Sequence, residues 1–179
     1  MAVMKKLIVV LAVLIGAMTV NAQLYGLWRY DEDIDPITDE NTSAISRLST
    51  TWPHDYKNSG LVVRCGTASY HSSGVEVYFA AGTDLGSDFF YDFVYRVDKH
   101  EPVSLRGSAS VSEDAIFFRE KDIPDLITAL IDGSNFVFRT EDAEGDEITY
   151  ELPLTGFDEA LQALGCYKEP PAIDSSLTP

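Results

Sequence analysis

The sequence predicts a mainly β fold of the α+β kind, either an antiparallel β-sandwich or a strongly curved sheet with two short helices. Three observations support this prediction. Many short segments alternate apolar and polar residues, which is typical of strands with one buried face. Only residues 123–131 and 157–164 carry apolar side chains at helical spacing. The chain also contains two cysteines, which suits a small domain held by a disulfide.

The first 22 residues have the features of a secretory signal peptide. Lys5 and Lys6 precede an apolar run at 7–20, and residues 20–22 offer small side chains where a signal peptidase cleaves. We therefore expect cleavage after Ala22 and a periplasmic or secreted protein. The alternative, an uncleaved membrane anchor, is disfavoured because the apolar run is short for a membrane span.

The chain is strongly acidic, with a net charge of −16 at pH 7. Loss of Lys5 and Lys6 with the signal peptide would change this charge to −18. So acidic a protein repels phosphate backbones and anionic lipid surfaces, which argues against nucleic acid and membranes as partners. The charge suits a cationic partner or a metal ion, or it serves only solubility.

An acidic stretch at 31–40 follows a first predicted strand at 24–30, in which Trp28 is the expected core anchor. Asp31, Asp33 and Asp35 have the first three ligand spacings of a calcium-binding EF-hand loop. The sixth position, however, is proline instead of the required glycine, and the twelfth is threonine instead of glutamate. A solvated strand end is therefore the favoured interpretation of this stretch.

The middle of the chain is predicted to consist mainly of strands. Alternation places them at 42–51, 61–65, 75–80, 89–98 and 108–119, the last segment giving one or two strands. We expect the strands at 75–80 and 89–98 to pair as an antiparallel hairpin. The aromatic side chains of the second strand either pack in the core or stack on a ligand. The core is favoured, because they alternate with charged residues.

The last third of the domain is predicted to contain a helix, two strands and a final helix, in that order. A helix starts at Asp122 and Pro124 and stops at Gly133, and it is followed by strands at 135–141 and 147–154. Thr155 is expected to cap the final helix, and Gly165 is expected to end it. Residues 169–179 contain three prolines and little to bury, which predicts a disordered tail after a single domain at 23–168.

Cys65 and Cys166 are predicted to form a disulfide, since two cysteines in an exported chain most simply pair. The bond would close a loop of about 100 residues and stabilise the fold by about 4–5 kcal/mol through loop-closure entropy. The alternative is that Cys65 is a catalytic nucleophile, which requires a base held nearby. The histidines could supply one, although no local catalytic motif surrounds His54, His71 or His100.

No sequence motif for an enzyme or a cofactor is recognised. The chain lacks G-x-S-x-G, H-E-x-x-H, P-loop and dinucleotide-binding patterns, so no cofactor or metal is expected. Arg64 and Arg96 are candidate binding residues, because each lies mid-strand among apolar neighbours. They could clamp an anionic ligand, but an ion pair with one of the many acids, or a guanidinium that lies on the sheet surface, is favoured.

The order of these elements resembles the VasI-type accessory proteins associated with type VI secretion and, more loosely, the IalB-type exported proteins named for invasion. The resemblance covers residues 26–167. It is carried by Trp28, PITDE at 36–40, LVVRC at 61–65, VYRVD at 94–98, SEDAIFF at 112–118 and ELPLTGFDEALQALGC at 151–166. The chain departs from the pattern at Tyr167, where tryptophan is expected. The resemblance implies an exported β-rich fold without enzymatic chemistry.

Three functional hypotheses follow from these observations. The leading one is an exported accessory or interaction protein of the bacterial envelope, which has a protein partner and is associated with a secretion system. The second is a small hydrolase that uses paired carboxylates, which the many acidic residues could supply. The third is an acidic inhibitor or binder of a cationic cell-wall enzyme such as a lysozyme.

Overall fold

A computed structural model describes residues 23–49, 59–66 and 73–168 of this protein. Within them lie two helices, α1 (Ile123–Asp132) and α2 (Phe157–Leu164), and a 3₁₀ turn at Glu120–Asp122. The described strands are β1 (Gln23–Tyr25), β2 (Trp28–Asp31), β3 (Ala44–Leu48), β4 (Gly60–Cys65), β5 (Val75–Ala80), β6 (Phe90–Val97), β7 (Val103–Ala109), β8 (Ala115–Phe117), β9 (Asn135–Glu141) and β10 (Glu147–Pro153). The predicted signal peptide and tail, and His54 and His71, lie outside the described residues.

The ten strands form one antiparallel sheet in the order β1-β2-β3-β4-β5-β8-β7-β6-β9-β10. This sheet curls until its two halves face each other. Phe79 on β5 stacks on Phe138 on β9 with ring centroids 4.1 Å apart, although three strands separate them in the sheet. The Tyr150 hydroxyl on β10 also donates a hydrogen bond to the Ala81 carbonyl at 2.8 Å. The predicted fold class is confirmed, in its curved-sheet form.

The core lies inside this curl, and it is aromatic. Phe138 is fully buried and also lies close to Phe93, at 5.0 Å between ring centroids. Tyr150, the cross-strand neighbour of Phe138, also packs against Phe79, at 4.8 Å between ring centroids. The alternation along each strand therefore marks the face that the curl encloses. Exposed polar residues occupy the other face of β6, β9 and β10.

The first predicted strand is wrong in extent, because the chain reverses inside it. Gly26 and Leu27 form a two-residue turn, so that Tyr25 pairs with Trp28 and the segment is a hairpin of β1 and β2. Gly26 has a φ of +57°, a left-handed conformation that glycine adopts without strain. Trp28 is fully buried as expected, and its ring lies 4.9 Å from that of Phe157 on α2.

The predicted hairpin of 75–80 and 89–98 is also wrong, although both segments are strands. β5 pairs with β4 and β8, whereas β6 pairs with β7 and β9. The loop between them bonds instead to the β7–β8 turn, through Ala81 N–H to Asp114 O and Leu85 N–H to Glu113 O, both at 2.8 Å. Alternation reports which face of a strand is buried, but it does not report which strand lies beside it.

The two helices begin and end close to the predicted residues. Gly133 and Gly165 are the C-terminal caps, which confirms both predicted stops. The predicted cap at Thr155 is wrong. The capping position of α2 belongs to Gly156, whose φ is +88°, and no side chain caps this helix. Helix α2 packs on β1 to β4, so that it covers one end of the sheet, and it also contacts α1.

Gly156 permits the closest backbone approach between the beginning and the end of the fold. A Cβ atom there would lie 2.3 Å from the Tyr25 carbonyl oxygen and 2.8 Å from the Gly26 Cα. We expect Gly156→Ala to lower the free energy of unfolding by about 3 kcal/mol, because steric overlap with backbone adds to the cost of a positive φ. Urea unfolding followed by tryptophan fluorescence measures this loss.

Gly145→Ala is the matched control for the Gly156 variant. Gly145 has a similar φ of +84°, but among the described residues nothing lies within 4 Å of the added Cβ. Its expected loss is only about 1 kcal/mol, from backbone strain alone. Equal losses in the two variants would show that the contact between residues 25–26 and 156 contributes nothing to stability.

Candidate functional site

A disulfide joins Cys65 at the end of β4 to Cys166 just beyond α2, with the Cα atoms 5.7 Å apart. No free cysteine remains in the chain, so the alternative of Cys65 as a nucleophile is excluded. The segment after the bond is also held by backbone, since Lys168 N–H donates to Ser73 O at 2.9 Å. The bond therefore fixes the position of α2 and of the residues that follow it.

The two arginines selected from the sequence lie apart. Arg64 on β4 forms an ion pair with Glu76 on the neighbouring strand, and its guanidinium carbon lies 5.5 Å from the centre of the Tyr78 ring. Arg96 is exposed on β6, and in the described part of the chain it makes no ion pair. Strands β5, β8 and β7 separate β4 from β6 in the sheet. These arginines do not form a common clamp.

The acidic stretch uses its carboxylates for local structure. Asp35 accepts hydrogen bonds from the backbone N–H groups of Ile37 and Thr38, and these bonds hold the pKa of its carboxyl below the usual value. Asp33 accepts a bond from the Thr42 hydroxyl at 2.9 Å. No group of three or more histidine, cysteine or acidic side chains that could hold a metal ion occurs among the described residues.

A groove of about 430 Å³ lies between the two helices, next to the disulfide. We call it the helix groove. Its apolar lining is provided by Ile131 of α1, Leu161 of α2 and Tyr167, which follows Cys166. Asp132 and Asp158 line it as well, and none of its described lining residues is basic. The helix groove therefore combines apolar surface with negative charge.

A larger cavity, of about 520 Å³, lies where the pairing of β6 with β9 ends. We call it the arginine cavity. Residues 94–97 of β6 pair with 136–139 of β9, and the pairing ends before Asp92, Phe93, Thr140 and Glu141, which line the cavity. The Thr140 hydroxyl still reaches the Asp92 carbonyl across the gap, at 3.5 Å.

Three arginines line the arginine cavity, and two of them, Arg119 and Arg139, are hydrogen-bonded through Nε, whereas the Arg106 guanidinium lies 5.6 Å from the centre of the Phe90 ring. Arg106 faces Asp92 at 3.5 Å, and Arg119 bonds to Asp122 at 2.8 Å. Arg139 donates to the Thr149 hydroxyl at 3.0 Å and lies 3.4 Å from Glu147. In the part of the chain that the structure describes, no hydrogen bond uses the terminal Nη groups of these arginines. Those groups can therefore donate to a bound ligand.

Among the described residues, the two carboxyl groups whose pKa is shifted, those of Asp35 and Asp114, are not suited to acid catalysis. Asp114, like Asp35, has its pKa lowered, chiefly by a hydrogen bond from the Ser112 hydroxyl. A catalytic general acid instead requires a raised pKa. Both aspartates organise turns, and neither lines the helix groove or the arginine cavity.

Sequence reasoning did not identify the arginines of the cavity. Arg106 and Arg139 lie at outward positions of alternating strands, which is also where any solvated arginine lies. Nothing in the sequence shows that β9 pairs with β6 or where this pairing stops. The one feature of the sequence that could have pointed to these arginines is the rarity of basic residues, since the chain has 13 of them and 29 acidic residues.

Neither helix of the described residues combines the length and the apolar character needed to cross a lipid bilayer.

No family model matches this chain, and no curated protein matches it. Among solved structures, the chain is similar to invasion associated protein B from Bartonella henselae. The identity is 14% and the TM-score 0.54, over 80% of this chain and 94% of that chain. At this identity the likeness shows the fold, and it supports an IalB-type fold. The resemblance to VasI-type proteins remains a prediction.

Proposed function

We propose that this protein is an exported, disulfide-stabilised interaction protein of the bacterial envelope, and not an enzyme. The observation that carries the proposal is the Cys65–Cys166 bond. Disulfides persist in oxidising compartments and are rare in the cytosol. The predicted signal peptide at 1–22 and the IalB-type fold are consistent with export.

The helix groove is the surface through which we propose that the partner binds. One wall is α2, which the disulfide holds against β4, so the groove needs little ordering before binding. Ile131 is 40% exposed and can contact an apolar side chain of the partner. Asp132 and Asp158 would attract basic side chains on either side of that contact. A cationic segment with an apolar anchor fits this chemistry.

Two kinds of partner satisfy these requirements. One is a component of a secretion machine, as the resemblance to VasI-type proteins implies. The other is a cationic cell-wall enzyme such as a lysozyme, which the net charge of −16 would attract over a distance. The hydrolase alternative lacks support, because the carboxyl groups of Asp35 and Asp114 have lowered pKa values.

Site-specific cross-linking in cells tests this proposal. A photoreactive amino acid at Gln162, an exposed position in the helix groove, is expected to give a discrete adduct with one protein. The same residue at Ser108, exposed on β7 away from the groove, is expected to give none. Mass spectrometry of the adduct then decides between a secretion component and a cell-wall enzyme.

A charge-matched pair of variants supplies the control. Asp132→Asn with Asp158→Asn should abolish the adduct, whereas Glu32→Gln with Glu101→Gln, at exposed sites outside the groove, should leave it unchanged. Thermal unfolding shows that each variant is folded. Equal adducts from Gln162 and Ser108, or no adduct from Gln162, would refute the helix groove as a protein-binding surface.

A further inference from the structure

We propose that the arginine cavity binds a small zwitterionic ligand of peptide chemistry, which carries a free carboxylate and a free ammonium group. This site is separate from the helix groove. The inference therefore stands whether or not the helix groove binds a protein partner.

The cavity lies where the ladder between β6 and β9 ends, and most of its lining residues belong to strands of the sheet. The pairing of β6 with β9 covers Val94–Val97 and Phe136–Arg139 and then ends, although both strands continue. The resulting volume of about 520 Å³ lies within the range of small-ligand sites. When the lining residues belong to paired strands, the backbone of the site needs little rearrangement to bind a ligand.

Its cationic groups suit a carboxylate. Arg119 and Arg139 are hydrogen-bonded at Nε, and Arg106 lies 3.5 Å from Asp92, while the terminal Nη groups of all three make no hydrogen bond within the described residues. A planar guanidinium matches a carboxylate through two parallel hydrogen bonds. Anchoring at Nε reduces the side-chain freedom that binding would otherwise remove. Three such groups at one cavity are notable in a chain with 13 basic residues.

Its acidic groups suit an ammonium and disfavour a polyanion. Asp92, Glu141 and Glu147 line the cavity with the three arginines, so its formal charge is balanced in a chain of net charge −16. The carboxylate of Glu141 makes no hydrogen bond or ion pair within the described residues and can therefore accept from a ligand. A phosphate ester would meet three carboxylates and the negative field of the whole protein. A zwitterion satisfies both sets of charges.

The apolar part of the lining suits a side chain between the two charged ends. Phe93, Val94 and Leu105 contribute to the cavity, and Phe93 is nearly fully buried. A short peptide combines a terminal carboxylate, a terminal ammonium and an apolar side chain within this volume. The cavity therefore matches the chemistry of a free peptide of two or three residues.

Titration of the folded full-length protein with defined peptides tests this inference. The probe is the tripeptide alanyl-phenylalanyl-alanine with free ends, followed by amide chemical shifts in NMR. We expect saturable shifts in β6 and β9. Amidation of the carboxyl end should weaken binding at least about tenfold, since the arginines lose their charged acceptor. Acetylation of the amino end should weaken binding about fivefold.

Two arginine variants of equal charge change provide the control. Arg139→Gln should weaken binding of the free tripeptide about tenfold. Arg96→Gln, on the same outer face of the sheet but outside the cavity, should leave it unchanged. Inorganic phosphate should cause no saturable shift. The inference is overturned if the tripeptide does not bind, if the amidated peptide binds equally well, if Arg96→Gln weakens binding as much as Arg139→Gln, or if phosphate alone binds.

Discussion

Removal of the disulfide by Cys65→Ser with Cys166→Ser is expected to lower the free energy of unfolding by about 4 kcal/mol. The bond closes a loop of 101 residues, so its loss releases a large amount of conformational freedom in the unfolded chain. The double variant also lacks the covalent bond that holds the end of α2 next to β4. Guanidinium unfolding of the oxidised protein and of the double variant measures the difference.

The reduced wild-type protein is the matched control for this variant. Reduction breaks the same bond without replacing either side chain, so its stability should agree with that of the double variant within about 1 kcal/mol. A double variant as stable as the oxidised wild type would contradict a stabilising role for the bond. In the double variant, amide hydrogen exchange should also increase most in α2, next to the missing disulfide.

The second large effect is expected from Phe138→Ala, which should cost about 4 kcal/mol of unfolding free energy. Phe138 is fully buried and stacks on Phe79 from the opposite half of the sheet. Its loss leaves a cavity in the centre of the curl, and the surrounding rings cannot refill this space without leaving their rotamers. Urea unfolding gives the free energy of each variant.

Phe89→Ala removes the same side chain from a position that is 85% exposed. We expect it to change the free energy of unfolding by less than about 0.5 kcal/mol, since little surface is returned to water. If Phe138→Ala cost no more than Phe89→Ala, the two halves of the sheet would not be held together by the aromatic core.

The alternating pattern was sufficient to predict which face of the strand at 89–98 is buried. Tyr91, Phe93 and Tyr95 share that face, and none of them is more than 8% exposed. The sequence could not reveal that Phe79 faces Phe138, because this contact depends on three strands lying between β5 and β9. The hairpin at Gly26 was missed for a related reason, since a two-residue turn leaves the apolar pattern almost unbroken.

Of the candidate sites, too, one part could be predicted from the sequence and another could not. The pairing of Cys65 with Cys166 could be predicted, because a chain with two cysteines allows a single intramolecular bond. The arginine cavity could not, because it depends on where one pair of strands stops pairing. Arg64 and Arg96 stood out in the sequence among apolar neighbours, but Arg106, Arg119 and Arg139 are brought together by strand order.

The redox state of Cys65 and Cys166 in the exported protein is the most direct test of the proposed function. Protein recovered from the periplasm or the medium of producing cells is labelled with a maleimide, before and after reduction under denaturing conditions. The expected result is no labelled thiol before reduction and two afterwards, on a chain that begins at Gln23. Two reactive thiols before reduction would contradict it, as would a chain that remains entirely in the cytoplasm.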